Sequence, residues 1–293
     1  MSGAISKAAS TKLSRGMQSC GIQSVNPNFM KRIASFFLGS MDQYRNDDNL
    51  VFSVMEVVIL SAGTGSRLWP HTSDRPKSMV DFVGRPLIDY QLRVFHECDI
   101  KDITIVVGHC SESVVAPNCR IIYNSEFLTT NMVASLFRAQ TVFNGNHDVI
   151  ISYGDIVFEE HVLRQLVDSD EAVSVVIDVN WYNYWSTRMS DPLNDVESLV
   201  LSDDRTKILD IGGEIESLSE VEGQYIGLIK IRKDIAPQLP VMWNTLQRMT
   251  TYNNRSIDSL HMTDLLTFIR DSGIDLTRLS VSIISERIFP YSS

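Results

Sequence analysis

From residue 55 onward, apolar runs alternate with polar turns. The β-branched and aliphatic run at 57–60 is typical of a buried strand, whereas Ile88, Leu92 and Phe95 recur at the spacing of an amphipathic helix. The pattern predicts strands over 55–61, 103–108, 120–124, 149–153 and 172–179. It predicts helices over 86–98, 131–143 and 159–168. This alternation of strands and helices predicts a doubly wound α/β fold.

The pattern changes in the second half of the chain. Strand-like segments there are separated by the turn residues Asp203-Asp204 and Gly212-Gly213, which indicates antiparallel hairpins. These segments are 197–201, 207–211 and 224–231. Two helices (235–251 and 260–272) and a last strand (277–284) follow. We therefore expect a small antiparallel portion beside the main sheet.

Composition excludes several classes of protein. The chain has 293 residues, of which 44% are hydrophobic and 21% charged, as in ordinary globular proteins. No apolar run approaches the roughly 20 residues that span a bilayer, so we expect no membrane span. The net charge of −10 argues against nucleic-acid binding. The four cysteines form no C-x-x-C pair, which argues against a zinc site or a redox motif.

The first residues differ from the rest in charge. Residues 1–41 contain five basic side chains and no acidic one, and they are rich in serine. Such a segment is typical of a mitochondrial targeting peptide, but it also suits a disordered extension of a cytoplasmic protein. We expect an extension over 1–53, a catalytic domain over 54–288 and a short tail over 289–293.

The segment 59–77 carries the strongest chemical signal. A strand ends in a loop that contains Gly63 and Gly65, followed by Arg67 and, after two prolines, Lys77. Bare backbone N–H groups after a strand suit an anion such as a triphosphate. A guanidinium and an ammonium add positive charge of two different geometries. The spacing is that of neither a Walker A loop nor a dinucleotide fingerprint, because Leu68 stands where the latter has its third glycine.

A carboxylate follows another predicted strand, in the pair Gly154-Asp155. Ligands of open α/β sheets bind beyond the carboxyl ends of the strands, so Asp155 is expected in the same crevice as Gly63. There it could hold Mg²⁺ together with phosphate oxygens. The simpler alternative is that Asp155 caps the next helix.

Further polar residues are weaker candidates. Asn124, Asn131 and Ser135 form a polar group around the start of a predicted helix, which Asn131 could simply cap. Gly108 ends a strand and could let a ligand approach the backbone.

An aromatic and acidic segment follows the strand at 172–179. Asp178 and Trp181 could form a pocket for a small cation, and Arg188 could bind a phosphate or phosphonate group. Hydrophobic packing of an inserted helix explains the aromatic residues equally well.

The segment 60–77 resembles the signature of the nucleoside triphosphate transferase family, Leu-x-Ala-Gly-x-Gly-x-Arg-Leu…Pro-Lys. The pieces Tyr153-Gly154-Asp155-Ile156 and Asp178-x-x-Trp181 resemble the cytidylyltransferases that act on phosphocholine or 2-aminoethylphosphonate. The resemblance implies a Rossmann-like mixed sheet with a nucleotide-binding first half and an acceptor-binding second half. It implies transfer of CMP from CTP to a small phosphorylated or phosphonylated amino alcohol, with release of pyrophosphate and with Mg²⁺ as cofactor.

The resemblance also implies roles for individual residues. Arg67, Lys77 and Asp155 would be catalytic. The nucleotide would bind to Leu60, Ala62, Gly63, Thr64, Gly65, Ser66, Arg67, Gly108, Asn124 and Gly154. The acceptor would bind to Lys77, Asn131, Ser135, Asp178, Trp181 and Arg188. The metal would be held by Asp155 and Asp264.

Two departures from the family pattern keep alternatives open. Gln224 stands where the family usually has glutamate, and the terminal segment with a second metal carboxylate is missing before Ser293. Asp264 could replace that carboxylate, although an aspartate at a helix start often only caps it. The alternatives are a sugar-1-phosphate nucleotidyltransferase and a non-catalytic nucleotide-binding protein. The sequence does not fix the oligomeric state, for which a homodimer is one option.

Overall fold

The computed structural model describes residues 55–182, 196–215 and 217–281. Its centre is a seven-stranded sheet with the order β13-β7-β10-β6-β1-β4-β5. These strands are β1 (Met55–Ser61), β4 (Asp102–Val107), β5 (Arg120–Tyr123), β6 (Asp148–Tyr153), β7 (Val173–Asp178), β10 (Gln224–Ile231) and β13 (Leu276–Val281). Their apolar residues build one continuous core. Three two-stranded hairpins lie outside this sheet: β2 (Asp81–Phe82) with β3 (Arg85–Pro86), β8 (Leu199–Leu201) with β9 (Ile208–Ile211), and β11 (Thr251–Tyr252) with β12 (Arg255–Ser256).

The described residues contain five α-helices. They are α1 (Leu87–Glu97), α2 (Met132–Arg138), α3 (Glu160–Val167), α4 (Gln238–Leu246) and α5 (Met262–Asp271). α1 packs against α3, and α2 packs against α5. Among the described residues, no helix is long and apolar enough to cross a membrane.

The direction of the strands brings several strand ends to one edge of the sheet. β1 pairs in parallel with both β4 and β6. β10 runs antiparallel to β6 on one side and to β7 on the other, so β6 and β7 point the same way. The carboxyl ends of β1, β4, β6 and β7 therefore lie at the same edge, where an α/β sheet places its ligands.

The position of β10 differs from the expectation. Gln224–Ile231 is antiparallel as predicted, but it lies inside the central sheet and not in a small separate portion. All eight of its residues are buried, including Lys230, whose ammonium lies 3.0 Å from the carboxylate of Asp148. A central strand buried on both faces loses the alternating pattern that would mark its place in the sheet.

Most predicted elements of the first half are present within one or two residues of their expected ends. The predicted helix 131–143 ends at Arg138 and continues as a short 3₁₀ turn over Gln140–Val142. The predicted helix 235–251 begins at Gln238, after Pro237. The mixed α/β sheet is confirmed. The expected extension over 1–53 and tail over 289–293 lie outside the described residues, so both remain predictions.

Candidate active site

A cleft of about 510 Å³ opens at the carboxyl ends of β1 and β6. The loop after β1 forms one wall, and the segment before α2 forms another. Sequence-predicted site residues that line the cleft are Leu60, Ala62, Gly63, Thr64, Gly65, Ser66, Arg67, Lys77, Asn131, Ser135, Gly154 and Asp155. The structure thus gathers most of the expected nucleotide-binding residues around one cavity.

The loop after β1 that contains Gly63 and Gly65, here called the glycine loop, is stabilised by Thr72. Gly65 has a left-handed backbone with φ +61°, and a Cβ atom there would lie 3.0 Å from Cγ2 of Thr72. The buried Thr72 hydroxyl donates to the Gly65 carbonyl at 2.9 Å. By contrast, a Cβ atom at Gly63 would meet nothing within 4 Å, so this part of the loop faces open space.

His109 ties both ends of this loop to β4. Its backbone N–H donates to the carbonyl of Ala62 at 3.1 Å, and its ring Nε2 lies 2.8 Å from the carbonyl of Thr72. Because a carbonyl oxygen only accepts, Nε2 carries the hydrogen in this contact. His109 is not among the site residues expected from the sequence, since a lone histidine after a strand carries no spacing signal.

The three expected catalytic side chains all line the cleft. The ammonium of Lys77 lies 2.9 Å from Oδ2 of Asp155, and both side chains are about one-fifth exposed. Arg67 belongs to the 3₁₀ turn Ser66–Leu68 and is exposed at the same cleft. The cap of the following helix α3 is Glu159, so Asp155 is not a helix cap. Two cations of different geometry and one carboxylate thus converge beside the glycine loop.

The turn that presents Asp155 lies against β1. The backbone N–H of Gly154 donates to the carbonyl of Leu60 at 2.8 Å, and a Cβ atom at Gly154 would lie 2.8 Å from that oxygen. Glycine is therefore required where the two strand ends meet. Nearby, the hydroxyls of Ser61 and Ser78 form a buried hydrogen bond of 2.5 Å.

The two asparagines before α2, Asn124 and Asn131, have different functions. Asn131 lines the cleft and also caps α2, because its Oδ1 accepts from the N–H of Met132 at 2.8 Å. Asn124 is fully buried: its amide donates to Thr130 and Ser135 at 3.0 Å each, and its carbonyl accepts from the N–H of Glu126. Asn124 therefore shapes the segment that faces the cleft and does not line the cleft itself.

Gly108 also lies behind the cleft. A Cβ atom there would come within 2.6 Å of both the Ala62 carbonyl and Cβ of Phe127. The missing side chain lets the end of β4 pack tightly under the glycine loop and the opposite wall.

An apolar wall faces the glycine loop and was missed by the sequence analysis. It consists of Phe127, Leu128, Met132 and Tyr153. Leu128 is 75% exposed and lines the cleft. Its position in an otherwise polar segment between β5 and α2 was the available sequence signal.

Two of the other expected acceptor residues, Asp178 and Trp181, do not line this cleft. Asp178 ends β7 and is buried opposite Gln224 of β10. Burial raises the pKa of the Asp178 carboxyl to about 6, although its Oδ1 accepts a hydrogen bond from the N–H of Asn180. The side-chain carbonyl of Gln224 is buried and has no hydrogen-bond partner among the described residues. Trp181 packs in a small apolar cluster with Val196 and Val221, and Arg188 lies outside the described residues.

The carboxylate of Asp264, the third residue of α5, is already engaged in hydrogen bonds. Its Oδ2 accepts from the N–H of His261 at 2.8 Å, and its Oδ1 accepts from the amide of Asn253 at 3.2 Å. Arg255 lies 3.4 Å from the same carboxylate. This is the capping arrangement that was the alternative for Asp264. In the described parts of the chain, no three His, Cys, Asp or Glu side chains are grouped as a metal site.

Comparisons with known proteins identify the family of the chain. The family model described as MobA-like NTP transferase domain matches residues 57–207. A CTP:phosphoglutamine cytidylyltransferase of Campylobacter jejuni is 32% identical over 223 residues, which cover 72% of this chain and 87% of that protein. A bifunctional sugar-1-phosphate nucleotidylyltransferase/acetyltransferase of Sulfurisphaera tokodaii is 26% identical over 147 residues, covering 50% of this chain and 36% of that protein.

Solved structures share the fold at low sequence identity, as one example shows. The CTP:phosphocholine cytidylyltransferase of Streptococcus pneumoniae superposes with a TM-score of 0.58 and 19% identity, covering 79% of this chain and 92% of that one. The Rossmann-like nucleotidyltransferase fold expected from the sequence is thereby confirmed.

Proposed function

Because the chain belongs to the MobA-like NTP transferase family, we propose that it transfers CMP from CTP to a small phosphorylated or phosphonylated acceptor that carries an amine or amide nitrogen. The products are the cytidylylated acceptor and pyrophosphate. The observation that carries this proposal is the contact of Lys77 with Asp155 beside the glycine loop, in one cleft with Arg67. The similarity to a CTP-dependent relative supports cytidine as the base.

The chain's own residues would act mainly by positioning charge. Arg67 and the backbone of 63–66 would bind the β- and γ-phosphates, and Lys77 would bind the α-phosphate and the acceptor oxygens. A phosphate or phosphonate oxygen is already anionic near neutral pH, so in-line attack on the α-phosphorus needs no general base. Such positioning and charge neutralisation account for much of catalysis in comparable reactions.

The residues fit a Mg²⁺ ion that arrives with the nucleotide. Mg²⁺ in such sites is held by one or two carboxylates together with substrate phosphates, and Asp155 supplies one hard oxygen donor at the cleft. When bound, the ion would neutralise phosphate charge and favour departure of pyrophosphate. Asp264 is left out of this proposal because its two carboxylate oxygens already bind other groups.

The acceptor's nitrogen is assigned to the edge of the sheet beyond β7. Asp178 and Gln224 are cross-strand partners there, with a buried carboxyl and a buried carbonyl oxygen. Both are hydrogen-bond acceptors: Oδ1 of Asp178 already accepts from the N–H of Asn180, whereas leaving the Gln224 carbonyl without a donor is costly in a buried site. The amine of 2-aminoethylphosphonate or a carboxamide would supply an N–H donor to these oxygens, whereas the quaternary ammonium of phosphocholine, which carries no N–H, would offer only its positive charge to the Asp178 carboxylate. The aromatic face of Trp181 and the guanidinium of Arg188 remain proposed parts of this acceptor site.

The proposal is tested by pyrophosphate release with each of the four nucleoside triphosphates. Acceptors would be phosphocholine, 2-aminoethylphosphonate, phosphoglutamine and glucose 1-phosphate. We expect turnover with CTP and a nitrogen-bearing acceptor. Turnover confined to glucose 1-phosphate would favour the sugar-phosphate alternative. Nucleotide binding by calorimetry without turnover on any acceptor would favour a non-catalytic protein.

Two variants connect this activity to the cleft. Lys77→Ala and Asp155→Ala should each lower turnover on the order of 10²–10³-fold without loss of the folded circular-dichroism spectrum. Lys101→Ala, which removes an exposed lysine paired with Asp99, is the matched control. Near wild-type turnover in either cleft variant would rule out the assigned roles.

A further inference from the structure

A glutamine buried in α1 touches the turn that carries Asp155. Gln91 is 1% exposed and does not line the cleft. Its side-chain N–H₂ group donates to the carbonyl of Tyr153 and to the carbonyl of Ile156, at 2.8 Å each. Its side-chain oxygen accepts from the hydroxyl of Ser152 at 2.9 Å. The buried amide is therefore fully engaged, and all three of its partners belong to one stretch of β6 and the following turn.

The two carbonyls that Gln91 binds flank Gly154 and Asp155. An amide N–H₂ group has two hydrogens, and here each points to one end of the turn. The same amide thus closes the turn from the side of the core, while the Asp155 side chain faces the cleft. Water cannot replace Gln91 easily, because Tyr153 and Ile156 are both buried.

Two further contacts fix the turn from the other directions. The N–H of Gly154 donates to the carbonyl of Leu60, and Lys77 holds the carboxylate of Asp155 at 2.9 Å. The Leu60 contact ties the turn to the glycine loop. Gln91 ties it to α1, which also packs against the 3₁₀ turn Lys77–Met79 that carries Lys77. Gln91 is thus a direct side-chain link between α1 and the turn that carries Asp155.

We propose that Gln91 is a positioning residue that holds the Asp155 carboxylate where a nucleotide-bound divalent cation meets it. This inference rests on the proposed role of Asp155. A group that orients a metal-binding carboxylate typically changes metal affinity or activity by about 10–100-fold when it is removed. Gln91→Met keeps the length of the side chain but removes both N–H donors, so the carbonyls of Tyr153 and Ile156 lose the amide that joins them. Gln91→Glu keeps the shape and replaces the donor by an acceptor.

The experiment compares these variants with two controls. Val94→Ala lies on the same helix and is equally buried, but Val94 belongs to the apolar core and makes no contact of this kind. Asp155→Asn removes the proposed metal carboxylate itself. Binding of Mn²⁺ in the presence of CTP is measured by equilibrium dialysis without an acceptor. The Mg²⁺ concentration for half-maximal pyrophosphate release is measured at saturating CTP, and thermal melting monitors folding.

The expected result is a shift of about 10–100-fold in both Mn²⁺ affinity and the Mg²⁺ midpoint for Gln91→Met and Gln91→Glu, with partial recovery of turnover at high Mg²⁺. Val94→Ala should lower the melting temperature and leave the Mg²⁺ midpoint unchanged. The midpoint does not depend on the fraction of folded protein, so it remains readable in a poorly folding variant.

Two failures are distinguishable. If Asp155→Asn binds Mn²⁺ with CTP as the wild type does, the proposed metal role of Asp155 is wrong. If Asp155→Asn loses the ion but both Gln91 variants keep the wild-type midpoint, Gln91 is only a structural residue and the inference is overturned.

Discussion

The buried carboxyl of Asp178 gives a quantitative prediction about pH. Asp178 is 6% exposed at the end of β7, and burial raises its pKa from 3.8 to about 6. Asp178→Asn preserves the shape of the side chain and keeps an oxygen that can accept from the N–H of Asn180. The new amide N–H₂ group would lie on the same face of the sheet as the buried carbonyl of Gln224, its cross-strand partner.

The size of the stability change follows from the pKa shift of Asp178. One pKa unit corresponds to about 1.4 kcal/mol, so a rise from 3.8 to about 6 corresponds to roughly 3 kcal/mol as an upper limit. The folded protein binds the proton more tightly than the unfolded chain. The stabilisation from this tighter proton binding is therefore fully present below about pH 4 and is lost as pH rises through about 6.

The assay is urea unfolding of wild type and Asp178→Asn at a series of pH values between about 4 and 8. The variant should be more stable than the wild type at pH 8, by up to about 3 kcal/mol, and the difference should vanish toward pH 4. Asp203→Asn, in an exposed turn, reports the effect of removing one surface charge from an acidic protein. A stability difference between wild type and Asp178→Asn that does not change with pH would refute the reasoning.

The titration of Asp178 should also change the KM for the acceptor. If the acceptor's ammonium binds to the Asp178 carboxylate, the acceptor KM of the wild type should fall as pH rises through about 6. In Asp178→Asn this dependence should disappear. A KM that depends on pH equally in both proteins would remove Asp178 from the acceptor site.

Further predictions concern single substitutions at four positions, each measured by urea unfolding together with the KM for CTP. Gly65→Ala should destabilise the protein by about 1–2 kcal/mol, because alanine disfavours a left-handed backbone at φ +61°. Gly63→Ala adds a methyl group that meets open space, so it should leave the stability unchanged and raise the KM for CTP. A Gly65→Ala variant with wild-type stability and a normal KM for CTP would contradict the prediction for the glycine loop. His109→Ala should raise the KM for CTP, and His109→Gln, which keeps an N–H donor, should recover most of the loss; equal effects of the two would exclude an anchoring hydrogen bond. Trp181→Ala should cost about 3–5 kcal/mol of stability and raise the KM of the acceptor more than that of CTP; an unchanged acceptor KM would leave Trp181 with packing alone.

The convergence of the glycine loop with Asp155 could be predicted from the sequence because it depends on local patterns. The apolar run of β1 was predicted over 55–61 and is observed as Met55–Ser61. Strands that run in parallel bring their carboxyl ends together, so residues directly after two such strands meet without any further information. Lys77 and Asp155 are 78 residues apart and still form an ion pair.

Residues that act from behind the cleft could not be predicted in the same way. Asn124 and Gly108 were expected to contact the nucleotide, but the first is an internal brace and the second leaves room for close packing. A sequence shows that an amide or a glycine follows a strand. It does not show on which side of the strand the next segment will pack. Both positions remain important to the cleft through the residues they support.

Gln91 shows most clearly which contacts cannot be predicted from the sequence. Its partners lie 62 and 65 residues further along the chain, and a glutamine on an amphipathic helix normally indicates the solvent side. The place of β10 was hidden for a related reason. Tertiary burial on both faces removes the periodicity from which its neighbours could be inferred.

The contact between the Lys77 ammonium and the Asp155 carboxylate has a thermodynamic consequence for substrate entry. Under the proposed function, a polyphosphate alone would draw the ammonium away from the carboxylate, and a divalent ion alone would draw the carboxylate away from the ammonium. If both arrive as a single complex, each group exchanges one counter-charge for another. Lys77 and Asp155 would then favour joint binding of the nucleotide and its cation over binding of either one by itself.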